Sequence, residues 1–360
     1  MRRSMSLAVA ALLLGCGGGA AAATPPATAA SSGGDTEEPS EHHHRRSHHG
    51  SHGGDDAADE HAEADEEFPL DAIVEVPGTG VSMRAPRGSA RSPVGAGFIH
   101  ERRRVQILVA VAHGAPELMA GFEASLSADA EEVESEDVTI GERTGHLVID
   151  TQDTGQLELE RVWVLVRDGD RAMAIVGAYQ SDRSERLRGL VRASVLSALW
   201  DADATIDPER AVGFRLTPPD GLVAEPQVVN TLTYTIPGGA PSPSSGQPAL
   251  LVVPIPIQVP ATERDDYCEQ ILLQAGPVSE DSVVSRAEIA TETMEGCEVF
   301  GTQEITTPTE GGPSALATYA ALVFLENASF MVAGFVDARE RDTWTPRFSA
   351  AARTVGPVAR

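Results

Sequence analysis

Val162-Trp163-Val164-Leu165-Val166, Arg167-Asp168-Gly169-Asp170-Arg171 and Ala172-Met173-Ala174-Ile175-Val176-Gly177-Ala178-Tyr179 form the stretch that decides the fold. Two apolar runs of strand length flank a turn built on Asp168-Gly169-Asp170, the pattern of a β-hairpin. The runs are continuous rather than alternating, which suits strands buried on both faces. The same pattern returns later in the chain. Ala320 to Leu325, a turn at Glu326-Asn327-Ala328, and Ser329 to Val336 repeat it, with Gly334 in the place of Gly177. A helical stretch follows each hairpin, Ser184 to Leu199 and Arg339 to Val355.

Working outward, the repeat extends over most of the chain. Each half opens on a short strand stopped by proline, Val81 to Pro86 and Val212 to Pro218. β-rich runs follow: Phe98 to His100 and Val105 to Ala112 in the first half, Thr231 to Ile236 and Leu250 to Val259 in the second. Pro116 to Ala128 and Glu263 to Gln274 carry apolar residues at spacings of three and four, as one buried helical face requires. The middle strands Gly141 to Ile149 and Glu292 to Phe300 also match. Segment 201–210, with Pro208, links the halves.

This order of elements resembles the PsbP-like fold, on the strength of three features. These are the proline-stopped opening strand, the middle strand with Gly141 and Gly145, and the final hairpin followed by a helix. The resemblance implies an α+β protein of two tandem α/β/α sandwiches, each with a central antiparallel sheet, at 68–200 and 211–360. The second copy departs from the first by an insertion at Pro237 to Pro248 and by a cysteine pair. Members of that family act mostly by binding, and they share no chemistry.

Upstream, Arg2 and Arg3 precede an apolar segment, Leu7 to Leu14, that ends in Gly15-Cys16. A spanning helix needs about 20 apolar residues, so this one is too short. The run Leu13-Leu14-Gly15-Cys16 resembles the signal of a bacterial lipoprotein. That resemblance implies a signal at 1–15, removed before Cys16, and acylation of Cys16. It also implies a place at the outer membrane, facing the periplasm or the exterior. Residues 16–67 are of low complexity, with Gly, Ala, Pro, His and acidic tracts and no periodic apolar face. Nothing there repays the entropy of ordering, so the segment reads as a disordered tether. Fifty such residues span roughly 40 Å.

Seven of the ten histidines lie between His42 and His61. His42, His43, His44, His48, His49 and His52 are candidate ligands for Zn, Cu or Ni, since neutral imidazole suits all three. A closed zinc site needs ligands fixed in tetrahedral geometry, and this tract fixes none, so weak multi-site binding is the expectation and no cofactor is assigned. Of the three cysteines, acylation uses Cys16. Cys268 and Cys297 remain as an even pair, expected to be bridged in an exported protein.

The formal charge of −27, with no lysine in the chain, repels nucleic acid phosphates and anionic head groups alike. Nucleic acid is therefore not an expected partner, and attachment to a membrane rests on the lipid. No nucleophile elbow, phosphate loop or His-Glu-x-x-His is present. His100, His113 and His146 read as isolated polar residues, Glu131-Glu132 and Asp265-Asp266 as solvated faces, and Trp163, Trp200 and Trp344 as packing residues. The sequence thus points away from an enzyme. It points to an envelope accessory or binding module for a protein or small ligand. Metal capture by the histidine tract and an unrecognised hydrolase are the alternatives.

Overall fold

The computed structural model describes residues 69–113, 123–124, 130–153, 157–228, 230–239, 245–255, 259–272, 282–304, 315–326 and 328–358. Cys16, the signal expected at 1–15, the tether expected at 16–67 and the six candidate histidine ligands lie outside these residues.

The first half runs β1 (Leu70–Val76), β2 (Val81–Pro86), β3 (Ala90–Arg91), β4 (Gly97–His100), β5 (Val105–His113), β6 (Ala130–Ile140), β7 (Arg143–Asp153), β8 (Glu158–Asp168), β9 (Arg171–Gln180), α1 (Ser184–Leu196) and β10 (Leu199–Trp200). The second runs α2 (Pro208–Val212), β11 (Phe214–Arg215), β12 (Val223–Ala224), β13 (Gln227–Val228), β14 (Leu232–Thr235), β15 (Ala249–Ile255), α3 (Arg264–Gln270), β16 (Val283–Ala290), β17 (Glu295–Glu304), β18 (Ala315–Phe324), β19 (Ser329–Asp337), α4 (Arg341–Ala352) and β20 (Gly356–Pro357).

The strands form four antiparallel sheets: β3-β4-β5-β9-β8-β7-β6, β12-β14-β15-β19-β18-β17-β16, β1-β2-β10 and β11-β20. The fold is therefore mostly β-sheet, and the expected pair of helix-rich α/β/α sandwiches is not what forms. The physical reason lies in where the apolar residues are spent. β8 and β9 are buried along nearly their whole length on both faces. The helical layer is thin by comparison: α1 has 13 residues, α3 only 7 and α4 12. Where a helix is expected at Glu263 to Gln274, α3 covers Arg264–Gln270, Ile271 and Leu272 continue it as a π-helical turn, and residues 273–274 lie outside the described residues. Of the helix expected at Pro116 to Ala128, the described residues include only Glu123 and Ala124, both helical.

More strands form than the sequence pattern shows. β6 and β16 lie at sheet edges, are largely exposed and carry polar residues on both faces, so no clean apolar alternation betrays them. β1, also an edge strand, does alternate through Leu70, Ala72, Val74 and Val76. β6 reads Ala-Glu-Glu-Val-Glu-Ser-Glu-Asp. Such charge on an edge hinders pairing with another chain.

One expected strand is partly a helix. Val212 ends α2, which opens with Asp207 capping the Arg210 amide and Pro208 in the first turn, and Gly213 closes it at φ 83°. Those are helix start and stop signals, and they override the apolar alternation after them. Only Phe214–Arg215 remains as strand.

The two large sheets follow one strand order. Both edge strands also bulge at one register position. Val133 in β6 is looped out opposite Ile149 and Asp150, and Val284 in β16 opposite Phe300 and Gly301. In each half the opening strand pairs with a short strand after the last helix, β2 with β10 and β11 with β20.

A single buried apolar cluster runs from Val76 to Val355 and takes residues from both halves, among them Ile107, Val164, Leu232 and Tyr319. β13 from the second half pairs with β5 of the first, Val228 against Val111. The other faces of the large sheets hold smaller clusters, around Trp163 and Leu165 in one and around Leu322 and Phe324 in the other.

Candidate functional site

The singled-out histidines serve local structure. His100 Nδ1 accepts from the Arg103 amide at 3.4 Å and caps a short turn. His113 ends β5. Burial first, then the Arg171 guanidinium, lowers its pKa, against the opposing pull of Asp170 and Asp203. His146 Nδ1 lies 3.3 Å from Asp137 Oδ1 on the exposed surface. Among the described residues no three His, Cys, Asp or Glu side chains converge as metal ligands, and no helix is long and apolar enough to cross a membrane.

Cys268 and Cys297 form a disulfide across a sequence separation of 29. It ties α3 to β17. Glu131, Glu132, Asp265 and Asp266 are exposed, as expected of solvated faces. Trp163 packs in its cluster and donates to Asp150 Oδ2 at 2.7 Å. Trp200 lies under the Arg143 guanidinium, and Trp344 packs on Phe348.

The titratable groups that the sequence reading passed over are buried carboxylates. Glu160 of β8 is 2% exposed and Glu298 of β17 is 4% exposed. Glu160 accepts from Arg188 of α1, Nε to Oε1 at 2.8 Å, and from the Tyr179 hydroxyl. Burial pushes its carboxyl up, and the hydrogen bonds from Arg188 and Tyr179 outweigh that, leaving it below the usual range. Burial and the Glu160 charge push Tyr179 up. The group thus ties a carboxylate, a phenol and a guanidinium together as a latch between α1 and β8.

Glu298 is held the same way. It accepts from Arg353 at 2.8 Å, from the Tyr319 hydroxyl at 3.0 Å and from Ser349 at 3.0 Å. These latches fasten α1 and α4 to their sheets. A glutamate at the start of a long apolar strand, as in Glu160-Arg161-Val162-Trp163-Val164, was the available signal.

Among the described residues there is an open cleft of about 1270 Å³. Several segments line it, among them α3 through Arg264 and the C-terminal stretch Val355 to Val358. Arg91, Ser92 and Pro93 come from the first half. The segment from Asp207 to Arg215 supplies α2 and β11. The turns between β16 and β17 and between β18 and β19 supply Glu292 and Glu326. The pairing of Glu295 with Phe324 places those two turns side by side at one end of the sheet.

Phe214 meets Phe330 at 4.8 Å between ring centroids, which joins the segment to the second turn. Arg91 donates to the Arg210 and Ala211 carbonyls and fixes the first half against α2. Arg264 pairs with Glu295, and its guanidinium carbon lies 5.2 Å from the Phe324 ring centroid. Sequence reading missed this site because its residues come from separate turns and the linker.

No family model and no curated protein matches the chain. Among solved structures, PsbP (CyanoP) from Synechocystis sp. PCC 6803 is similar at 13% identity, covering 34% of this chain and 87% of that one, with a TM-score of 0.27. A chain of the Tle4–Tli4 complex is similar at 8% identity, covering 79% and 96%, with a TM-score of 0.29. The T6SS immunity protein TplEi from Pseudomonas aeruginosa is similar at 11% identity, covering 79% and 97%, with a TM-score of 0.28. At these scores no function is carried across.

Proposed function

We propose that this chain is a lipid-anchored protein of a bacterial outer membrane whose folded part works as a non-enzymatic binding module. The observation that carries the reading is the cleft, built jointly by the first half, the segment after it and two hairpin turns of the second. Concave sites at the junction of two folded halves are where ligands usually bind. The disulfide suits an exported protein. Acylation at Cys16 and a tether over 16–67 would hold the cleft away from the bilayer. The shared strand order supports reading 68–200 and 211–360 as two copies of one PsbP-like unit.

A photoreactive amino acid placed at Arg215 or Glu292 in living cells tests the reading. Discrete adducts at those positions, and none from Glu134 on the β6 edge, are expected. Equal labelling at all three positions counts against the cleft. Labelled palmitate incorporated by the wild type and not by Cys16→Ala checks the anchor.

Metal capture by the histidine tract is a second reading, favoured by the clustering of seven histidines between His42 and His61. Calorimetric titration with Zn on the chain with and without residues 41–61 decides it, and identical heats end it.

A further inference from the structure

We infer that the cleft takes an extended polypeptide segment of a partner protein, with opposite charges at its two ends and apolar residues between them. The inference rests on the cleft being the binding site and goes on to say what binds there.

Size is the first ground. Small-molecule pockets typically span about 300–1000 Å³ and enclose most of their ligand. This cleft is larger, at about 1270 Å³, and open. Such a space leaves a small molecule mostly wet and suits a length of chain.

Charge is the second ground. Several lining groups are already used within the protein, and those bonded to neutral partners keep their charge. Arg91, Arg210 and Arg215 against Asp207 and Glu209 leave that end net positive by one. Glu292 and Glu326 leave the turns net negative by two, since Arg264 and Glu295 cancel. Arg91 is spent on backbone carbonyls, and Arg264 on Glu295. Asp207 caps the Arg210 amide, and Glu209 accepts from the Tyr234 hydroxyl at 3.0 Å. Four exposed charges are left over: Arg210, Arg215, Glu292 and Glu326. Among the described residues none of the four has an ion pair. They are also sorted by origin. Both arginines come from the segment carrying α2 and β11, and both glutamates from the adjacent hairpin turns. The chain as a whole is strongly acidic, at −27, so two unpaired arginines meeting in one concavity stand apart from the general surface. A segment with carboxylates toward Arg210 and Arg215 and cations toward Glu292 and Glu326 satisfies all four. Reversing it sets like against like, so the same charges fix its direction. Val212, Met294 and Val355 add apolar lining for its middle.

The test pans a random octapeptide display library on the purified full-length chain. Affinity of the enriched peptides is then measured by fluorescence polarisation. Enrichment of peptides acidic at one end and basic at the other is expected. Arg210→Ala with Arg215→Ala, and separately Glu292→Gln with Glu326→Gln, should each weaken binding at least tenfold, while Arg347→Ala leaves it unchanged. All of these positions are exposed, and matching thermal melts confirm that the variants fold. Peptides of a single charge sign, or two-signed peptides indifferent to both double variants, overturn the proposal. No enriched peptide, together with adducts at Arg215 in cells, defeats the ligand class and leaves the cleft reading standing. Absence of both defeats the two together.

Discussion

Single side chains decide how the helices sit on the sheets. Gly177 and Gly334 occupy matching places because a helix passes directly over each. A Cβ on Gly177 would lie 2.2 Å from Val191 Cγ1, and one on Gly334 would lie 2.5 Å from Phe348 Cδ2. Neither is a position of positive φ, so the demand is for space alone. Gly177→Ala should therefore destabilise the protein by about 1–3 kcal/mol, the usual cost of overpacking. Urea unfolding measures this, and Val191→Ala should recover part of the loss in the double variant. Strict additivity of the two losses would show that the helix contact is not the cause.

Glu160 gives a pH signature. Its folded pKa lies below the unfolded value of about 4.3. Its contribution is thus complete above the unfolded value and is lost as pH falls through the folded one. Stability from pH 6 to pH 3 should fall more steeply in the wild type than in Glu160→Gln, and parallel curves would remove the latch. Arg188→Ala leaves the buried carboxylate without its cation and should cost about 3 kcal/mol, the low end for such a break because Arg188 is partly exposed.

At the scale of the element, α3 is the weakest piece of regular structure around the cleft. Seven residues form too short a helix to hold by themselves. Tyr267 sits edge-on to Phe324, and Arg264 clasps Glu295. The bridge supplies the rest. A closed loop of this length is worth about 3–4 kcal/mol in the chain-entropy model. Cys268→Ser with Cys297→Ser should lower the thermal midpoint clearly and make α3 the first point of protease attack. An unchanged midpoint with and without reductant would show that packing alone holds the helix. The edge strands teach a different lesson. β6 and β16 were illegible because polar residues on both faces erase the period of two, and only pairing with β7 and β17 makes them strands.

Across the whole molecule, the described residues from Pro69 onward belong to one compact unit. The apolar cluster shared by both halves and the pairing of β13 with β5 mean that neither half completes its burial alone. Thermal unfolding should therefore be a single transition with matching calorimetric and van't Hoff enthalpies. A chain ending at Ile206 should bind a hydrophobic dye, since it bares Val111 and Ala112. Two resolved transitions, or a soluble, dye-negative fragment, would make the halves independent.

The sequence by itself determined the two hairpins and the helices behind them. A short polar turn between buried apolar runs is a local pattern, and local physics suffices to read it. The cysteine pairing was likewise legible, since the expectation of acylation at Cys16 left Cys268 and Cys297 as a pair. Only the tertiary structure decided the balance of sheet over helix, the edge strands, the latches beneath α1 and α4, and the cleft. Each of those depends on residues far apart in the chain, whose partners are set by strand register and by which faces meet, and neither leaves a mark on a short window of sequence.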